Sequence, residues 1–174
     1  MTTVSPHIVV RPAVADDYVD IARLTVAAYR ADGQLASDHG YDAVLADVAG
    51  RAEAAELLVA VATTPSRRRV VGAVAFVLPG SALAELAGPG EAEFRMLAVD
   101  PTAQGLGVGR ALVAACADRA RSAGARALVI YVRDFATRAQ RLYAGLAFAR
   151  TPARDWSPFP AVTLLALRKD LPSA

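Results

Sequence analysis

The sequence is poor in aromatic residues, cysteine and net charge. Phe, Trp and Tyr make up 6% of the 174 residues, and Cys116 is the single cysteine, which excludes an internal disulfide and accords with a reducing cytoplasm. A formal charge of +2 is too small for the dense basic surface typical of nucleic-acid-binding proteins, so no nucleic-acid partner is expected. Neither a basic-then-apolar leader nor an apolar run of about 18 residues is present, which predicts a cytoplasmic protein without a membrane partner.

The hydrophobic residues, 55% of the chain, are sufficient for a well-filled core, and the length predicts one domain over residues 1–174. The pattern of apolar runs predicts the order β-α-α-β-β-β-α-β-α-β-β. Strands are expected at 8–10, 57–62, 70–78, 91–99, 127–132, near Phe148 and at 162–167. Helices are expected over 16–32 and 41–55, from the glycines that follow the 91–99 strand to about residue 122, and over 135–145. An irregular segment framed by Pro152, Pro158 and Pro160 is expected before the last strand.

This order predicts an α/β (α+β) fold. A mixed, mostly antiparallel twisted sheet would contain one central parallel β-α-β unit, with helices on both faces. The parallel pair would be the strands 91–99 and 127–132, joined by a right-handed crossover.

Three alternating glycines, Gly105, Gly107 and Gly109, precede the long helix. Glycine lets backbone amides turn toward a ligand, and the first-turn amides of a helix have no partner within the helix. Together they favour a pyrophosphate site, although a plain tight turn between strand and helix would also use glycine. Arg110 occupies the position where a P-loop needs lysine and where a dinucleotide-binding fingerprint needs its third glycine, so both of these motifs are excluded.

The segment Leu97–Pro101 followed by Gln104–Leu112 resembles the acyl-CoA motif of the GNAT superfamily of N-acetyltransferases. The family pattern, Arg/Gln-x-x-Gly-x-Gly/Ala after a strand, is filled by Gln104, Gly107 and Gly109. A second family signature is similar to the run from Ala139 to Phe148.

The resemblance implies acetyl-CoA as co-substrate, with its pantetheine arm lying beside the splayed parallel strands. Main-chain groups would bind this arm and the pyrophosphate. The residues implied are Leu97, Ala98, Val99, Gln104, Gly105, Leu106, Gly107, Val108, Gly109 and Arg110. Two positions depart from the family pattern: Ala136 replaces an asparagine that contacts the pantetheine, and Ala147 replaces a glycine in a turn.

The resemblance also implies the catalytic residues. Tyr143 matches the family tyrosine that protonates the departing thiolate, although a core aromatic would also suit this helix. Glu93 is the expected base that accepts the proton of the amine, with Glu91 as the alternative, and Glu93 would also suit pairing with Arg95. Alternation places these three charged residues of the strand on one face. No cluster of His, Cys or carboxylates has metal-ligand spacing, so no metal is expected.

The acceptor pocket is implied to come from residues 29–41 and 154–159. Asp32, Asp38, Asp42 and Asp155 would favour a cationic amine, and Trp156 and Phe159 would line an apolar slot. Three functions stay open: acetylation of a small-molecule amine, acetylation of a protein amino terminus or lysine, and non-catalytic acyl-CoA binding in a regulatory domain. The long apolar strand 161–167, if it lay at a sheet edge, would favour a homodimer.

Overall fold

The computed structural model describes residues 6–36 and 40–172. Its helices are α1 (Tyr18–Ala31), α2 (Tyr41–Ala46), α3 (Val48–Ala54), α4 (Val108–Ser122) and α5 (Thr137–Ala144). Its strands are β1 (His7–Pro12), β2 (Glu56–Thr64), β3 (Arg67–Val77), β4 (Glu91–Val99), β5 (Ala127–Arg133), β6 (Ala149–Arg150), β7 (Trp156–Phe159) and β8 (Val162–Asp170).

The strands form one sheet in the order β1-β2-β3-β4-β5-β8-β6, and β7 also pairs with β8. The strands β4 and β5 are parallel, whereas β1 with β2 and β8 with β5, β6 and β7 are antiparallel. The predicted mixed sheet with a central parallel β-α-β unit is therefore confirmed.

Contacts between Cα atoms divide the chain into two compact units, each made of two separate stretches. The first contains Met1–Ala75 and Met96–Ala115, and the second contains Phe76–Arg95 and Cys116–Ala174. Since neither unit is one continuous segment, a single domain remains our proposal for the chain.

Two local predictions are wrong. The helix expected over 41–55 is two helices, because Asp47 leaves the helical conformation and its Oδ1 accepts a hydrogen bond from the amide of Gly50, which caps α3. The segment expected to be irregular contains β7, which pairs with β8 through a register shift between Trp156 and Phe159. The shift falls at Pro158, which lacks the amide that a regular ladder needs.

The last strand is not a sheet edge. Along β8, residues 164–170 pair with β5, while β6 and β7 pair with the same strand. The edge argument for a homodimer therefore does not hold, because the backbone groups on both sides of β8 are used within the chain. Among the described residues, no helix combines the length and apolarity needed to cross a bilayer.

Candidate functional site

The turn that follows β4 is built around the buried side chain of Asp100. Its Oδ1 accepts hydrogen bonds from the amide of Thr102 at 2.9 Å and from the Thr102 hydroxyl at 2.7 Å. Burial alone would raise the pKa of Asp100, but these hydrogen bonds and the nearby Arg69 and Arg23 lower it below its ordinary value. Pro101 follows in the first position of a single 3-10 turn, where its missing amide costs nothing. This turn fixes the start of the glycine loop.

The glycine loop leads directly into α4. Gly105 and Gly107 have φ values of 82° and 76°, which favour glycine, and no atom lies within 4 Å of the position of a Cβ at either residue. The first amide that bonds within the helix is that of Ala111, to the carbonyl of Gly107 at 3.0 Å. The amides of residues 108–110 precede this ladder and have no partner within the helix. The loop therefore has an open surface with main-chain donors at the positive end of the helix dipole, which suits a diphosphate.

The helix α4 lies close to β3 because residue 72 is a glycine. A Cβ at Gly72 would stand 2.6 Å from Cγ1 of Val108 and 3.0 Å from Cδ1 of Leu112. The helical spacing predicts a buried stripe of Val108, Leu112, Ala115 and Cys116; Val108, Leu112 and Cys116 are fully buried, and Ala115 is half-buried. The packing of β3 against α4 thus holds the glycine loop at the end of β4.

The two halves of β4 differ in their pairing with β5 and in their backbone conformation. Its register with β5 covers Glu91–Glu93 against Ala127–Val129, and Leu97 and Val99 lie beyond this paired part. Met96 has a φ of 52°, in the left-handed region that costs a residue other than glycine about 1 kcal/mol or more. A left-handed residue inside a strand changes the direction of the following peptide groups, here those of Leu97, Ala98 and Val99.

Tyr143 is the aromatic residue of α5 that lies in the core. It is 4% exposed, and its ring lies 5.7 Å from the rings of both Phe94 and Phe148. Burial raises the pKa of Tyr143 above its ordinary value, with a smaller contribution from Cys116. The phenol therefore stays protonated at neutral pH, which is the form that a proton donor requires.

Glu93 is 1% exposed and holds the loop between β3 and β4. Its Oε2 accepts three backbone hydrogen bonds of 2.9–3.1 Å, from Glu85, Leu86 and Ala87. Its Oε1 lies 3.9 Å from Nε of Arg95. Since Phe94 packs on Tyr143 and neighbouring side chains alternate along a strand, Glu93 and Tyr143 lie on opposite faces of β4.

Glu91 is held by two arginines. Arg154 contacts both of its oxygens, at 3.0 and 2.9 Å, and Arg168 makes a further ion pair with it. Burial alone would raise the pKa of Glu91, but Arg154, the amide of Gly88 and Arg168 lower it below its ordinary value. A carboxylate stabilised in this way is a weak base, so Glu91 is the poorer candidate.

The residues expected around the acceptor fall into two groups. In the second unit, Trp156 is 47% exposed and packs 6.3 Å from the ring of Tyr131, while Asp155 pairs with Arg150 and accepts a hydrogen bond from the amide of Ala166. In the first unit, a cavity of about 210 Å³ is lined by Arg30, Gly33, Leu35, Ala36 and Asp42. Asp32 is exposed, and Asp38 lies outside the described residues.

A family model described as the acetyltransferase (GNAT) family matches residues 20–148, well over half of the chain. The chain belongs to the GNAT family of acetyltransferases. The matched region contains the glycine loop, β4, α5 and Tyr143, so the sequence resemblance is confirmed at the level of the family. No curated protein matches this chain.

Solved structures agree with this fold. A GNAT acetyltransferase from Staphylococcus aureus Mu50 has a TM-score of 0.72 at 12% identity, over 95% of this GNAT chain and 100% of the other. The structure of a histone acetyltransferase HPA2 and related acetyltransferase from Corynebacterium glutamicum has a TM-score of 0.68 at 23% identity, over 98% and 97%. The protein yncA of Salmonella typhimurium, solved with its cofactor acetyl-CoA, has a TM-score of 0.62 at 20% identity, over 97% and 96%.

The structure also locates the two departures from the GNAT pattern. At Ala136, which precedes α5, the side chain is buried, and Gln140 donates from Nε2 to the carbonyls of Arg133 and Asp134. Ala147 adopts a φ of 63°, the left-handed conformation that the glycine of the pattern would take without strain.

Sequence analysis did not predict that Arg51 is buried. Arg51 of α3 lies in the core of the first unit, and its NH1 donates to Sδ of Met96 at 3.2 Å. These residues are 45 positions apart in the sequence, so no local pattern could reveal the contact.

Proposed function

We propose that this protein is an N-acetyltransferase that transfers the acetyl group of acetyl-CoA to a primary amine of a small molecule, by direct attack in a ternary complex. The observation that carries the proposal is the glycine loop, in which Gly105 and Gly107 leave an open surface before the first amides of α4, which have no partner within the helix. An anion of the size of a diphosphate suits such a loop. The single cysteine, Cys116, supports a cytoplasmic location in this proposal.

The residues that would hold acetyl-CoA all belong to the first unit. The amides of the Gln104–Arg110 segment would bind the diphosphate, and the main chain of Leu97, Ala98 and Val99 would bind the pantetheine arm in the manner of an added strand. When bound, acetyl-CoA supplies an activated thioester, so this chain needs no nucleophile of its own.

The proton transfers are assigned to the second unit. Tyr143 would donate its phenolic proton to the departing thiolate, since burial keeps the phenol protonated at neutral pH. Glu93 would accept the proton of the amine through a water molecule at Oε1, because Oε2 is occupied by the three amides of the loop. In the first unit, the cavity of about 210 Å³ has room for a small amine.

Two measurements test the proposal together. Calorimetry with acetyl-CoA tests the cofactor site, and release of free thiol from acetyl-CoA tests transfer to amines, amino acids, polyamines, aminoglycosides and peptides. Binding together with release from a small amine supports the proposal. Release from peptides alone indicates a protein acetyltransferase, and binding without any release indicates a regulatory acyl-CoA-binding domain. A protein that neither binds acetyl-CoA nor releases thiol contradicts the proposal.

A further inference from the structure

The guanidinium of Arg51 is buried and donates hydrogen bonds to two uncharged groups. It is 5% exposed and donates from NH2 to the carbonyl of Leu45 at 2.7 Å and from NH1 to Sδ of Met96 at 3.2 Å. Its Nε is buried and has no hydrogen-bond partner within the described part of the chain. A guanidinium has five N–H donors, so a carbonyl and a weakly accepting thioether leave most of its capacity unused.

Burial of the Arg51 charge in this way destabilises the folded protein. A charged group that is removed from water loses its hydration, and a hydrogen bond to a carbonyl alone does not restore that loss. Asp47, the acidic residue whose charge acts on Arg51, uses its Oδ1 to cap α3 through the amide of Gly50. Burial lowers the pKa of Arg51, and the opposing effects of Tyr29, Tyr41 and Asp47 do not reverse this.

Arg51 contacts a residue that lies next to the proposed cofactor-binding segment. Met96, its sulfur partner, is the left-handed residue of β4 and lies directly before the segment that we propose binds the pantetheine arm. On the helical side, the rings of Tyr29 and Tyr41 lie 6.1 Å apart. Arg30 and Asp42, the next residues in the sequence after these tyrosines, line the cavity of about 210 Å³.

We propose that Arg51 binds a carboxylate of the acceptor, so that the acceptor is an amino acid or a closely related amino-carboxylate. This inference rests on the proposed acetyl transfer and narrows its substrate class. A carboxylate matches the planar fork of a guanidinium with two parallel hydrogen bonds, which Nε and one terminal nitrogen can donate. The bound carboxylate supplies the charged hydrogen-bond partner that Arg51 does not have among the described residues.

The first experiment compares matched acceptors on the wild-type enzyme. Thiol release is measured with glycine and glycinamide, alanine and alaninamide, and phenylalanine and phenylalaninamide. We expect kcat/KM to be about 10- to 100-fold higher for each acid than for its amide, the range that a hydrogen-bonded charge pair supports. The less basic amine of the amide favours its reaction, so basicity does not explain a preference for the acid. Equal values of kcat/KM for the acid and the amide of each pair would overturn the inference.

The second experiment uses variants of Arg51. In R51Q we expect the ratio of kcat/KM for the acid to kcat/KM for its amide to fall to about one, while the affinity for acetyl-CoA is followed in calorimetry. In R51K part of the preference should return, because the charge is kept without the planar fork. The control R67Q removes an exposed arginine of β3 and should leave the preference unchanged.

A purely structural role for Arg51 gives a different result. If Arg51 only supports the left-handed conformation of Met96, R51Q lowers the rates with acids and amides by the same factor, which overturns the inference. Thermal melting of each variant shows whether the fold is intact, and the wild-type comparison of acids with amides stands whatever R51Q does.

The failure of the inference is distinguishable from the failure of the proposed function. Turnover of amides as readily as acids contradicts the inference and leaves the acetyltransferase function in place. The absence of thiol release with every acceptor contradicts the function. In that case, calorimetric binding of N-acetylglycine against N-acetylglycinamide decides whether Arg51 forms a carboxylate site, with binding of both or of neither counting against it.

Discussion

The carboxylate of Glu93 accepts a hydrogen bond from the backbone amide of Leu86 at 2.9 Å, between similar bonds from Glu85 and Ala87. One oxygen of this side chain therefore positions the loop before β4. Arg95 supports the same loop, with NH1 donating to the carbonyl of Leu83 at 2.8 Å and NH2 pairing with Glu85. Glu93 thus combines a visible structural task with the catalytic task that we propose for it.

Substitution of Glu93 separates these two tasks. In Glu93→Gln an amide oxygen still accepts bonds from the loop, so we expect little loss of melting temperature but at least a tenfold loss of kcat if Glu93 is the base. In Glu93→Ala we expect a further loss of about 1–3 kcal/mol in the free energy of unfolding, because buried amides of the loop lose their acceptor. The matched control is Glu85→Gln, which removes a charge from the same loop. Full turnover by Glu93→Gln would exclude Glu93 as the base.

The glycine loop offers a control at the opposite end of its own helix. Gly107 and Gly124 have φ values of 76° and 75°, and neither has an atom within 4 Å of a Cβ position. Changing either residue to alanine should therefore cost a similar amount of stability, about 1 kcal/mol. We expect only Gly107→Ala to lower the affinity for acetyl-CoA, by at least tenfold in calorimetry. An equal effect of the two substitutions would mean that the loop does not bind the diphosphate.

Tyr143→Phe tests the proposed proton donor. The substitution keeps the ring that packs against Phe94 and Phe148 and removes the hydroxyl alone, so we expect the melting temperature to change little. We expect kcat to fall by about 10²- to 10⁴-fold, the usual contribution of a positioned acid, with little change in acetyl-CoA affinity. Stopped assays of thiol release measure the loss, and unchanged turnover would leave Tyr143 as a core residue.

The pH dependence of stability should report on Asp17. Arg11 donates to both oxygens of Asp17, at 2.7 and 2.9 Å, and lowers the pKa of Asp17 below its ordinary value. A carboxyl with a lowered pKa stabilises the folded state above its unfolded pKa of about 3.9, and this stabilisation is lost as the pH falls through the folded value.

We therefore expect Asp17→Asn to cost about 1–3 kcal/mol of unfolding free energy at pH 7 and progressively less toward pH 2. Denaturant titrations across this range measure the difference. Asp20→Asn is the control, since the pair of Asp20 with Arg23 is exposed and should contribute little. A difference for Asp17→Asn that stays constant with pH would contradict the assignment.

The parts of this structure that depend on nearby residues were predictable from the sequence. The bounds of β4, the burial of Leu112 and Cys116, and the turn formed by Gly105 and Gly107 each follow from local patterns of apolar residues and glycine. The break between α2 and α3 was missed because Asp47 caps a helix inside a stretch of uninterrupted helical periodicity.

Contacts between distant residues were not predictable in the same way. The three amides that bind Glu93 come from a loop whose path the sequence does not specify, and the contact of Arg51 with Met96 joins a helix to a strand. A single sequence shows that both residues are charged, but only the folded chain shows that both are buried.

The burial of Cys116 determines how the transfer reaction is best followed. Its thiol is 0% exposed, and it is the one cysteine in the chain. A thiol-reactive dye added to the native enzyme should therefore react only with the coenzyme A that turnover releases. The absorbance of the dye should stay constant before the acceptor is added. In denaturant the same dye should count one equivalent per chain, so a rising blank during an assay marks unfolded enzyme rather than catalysis.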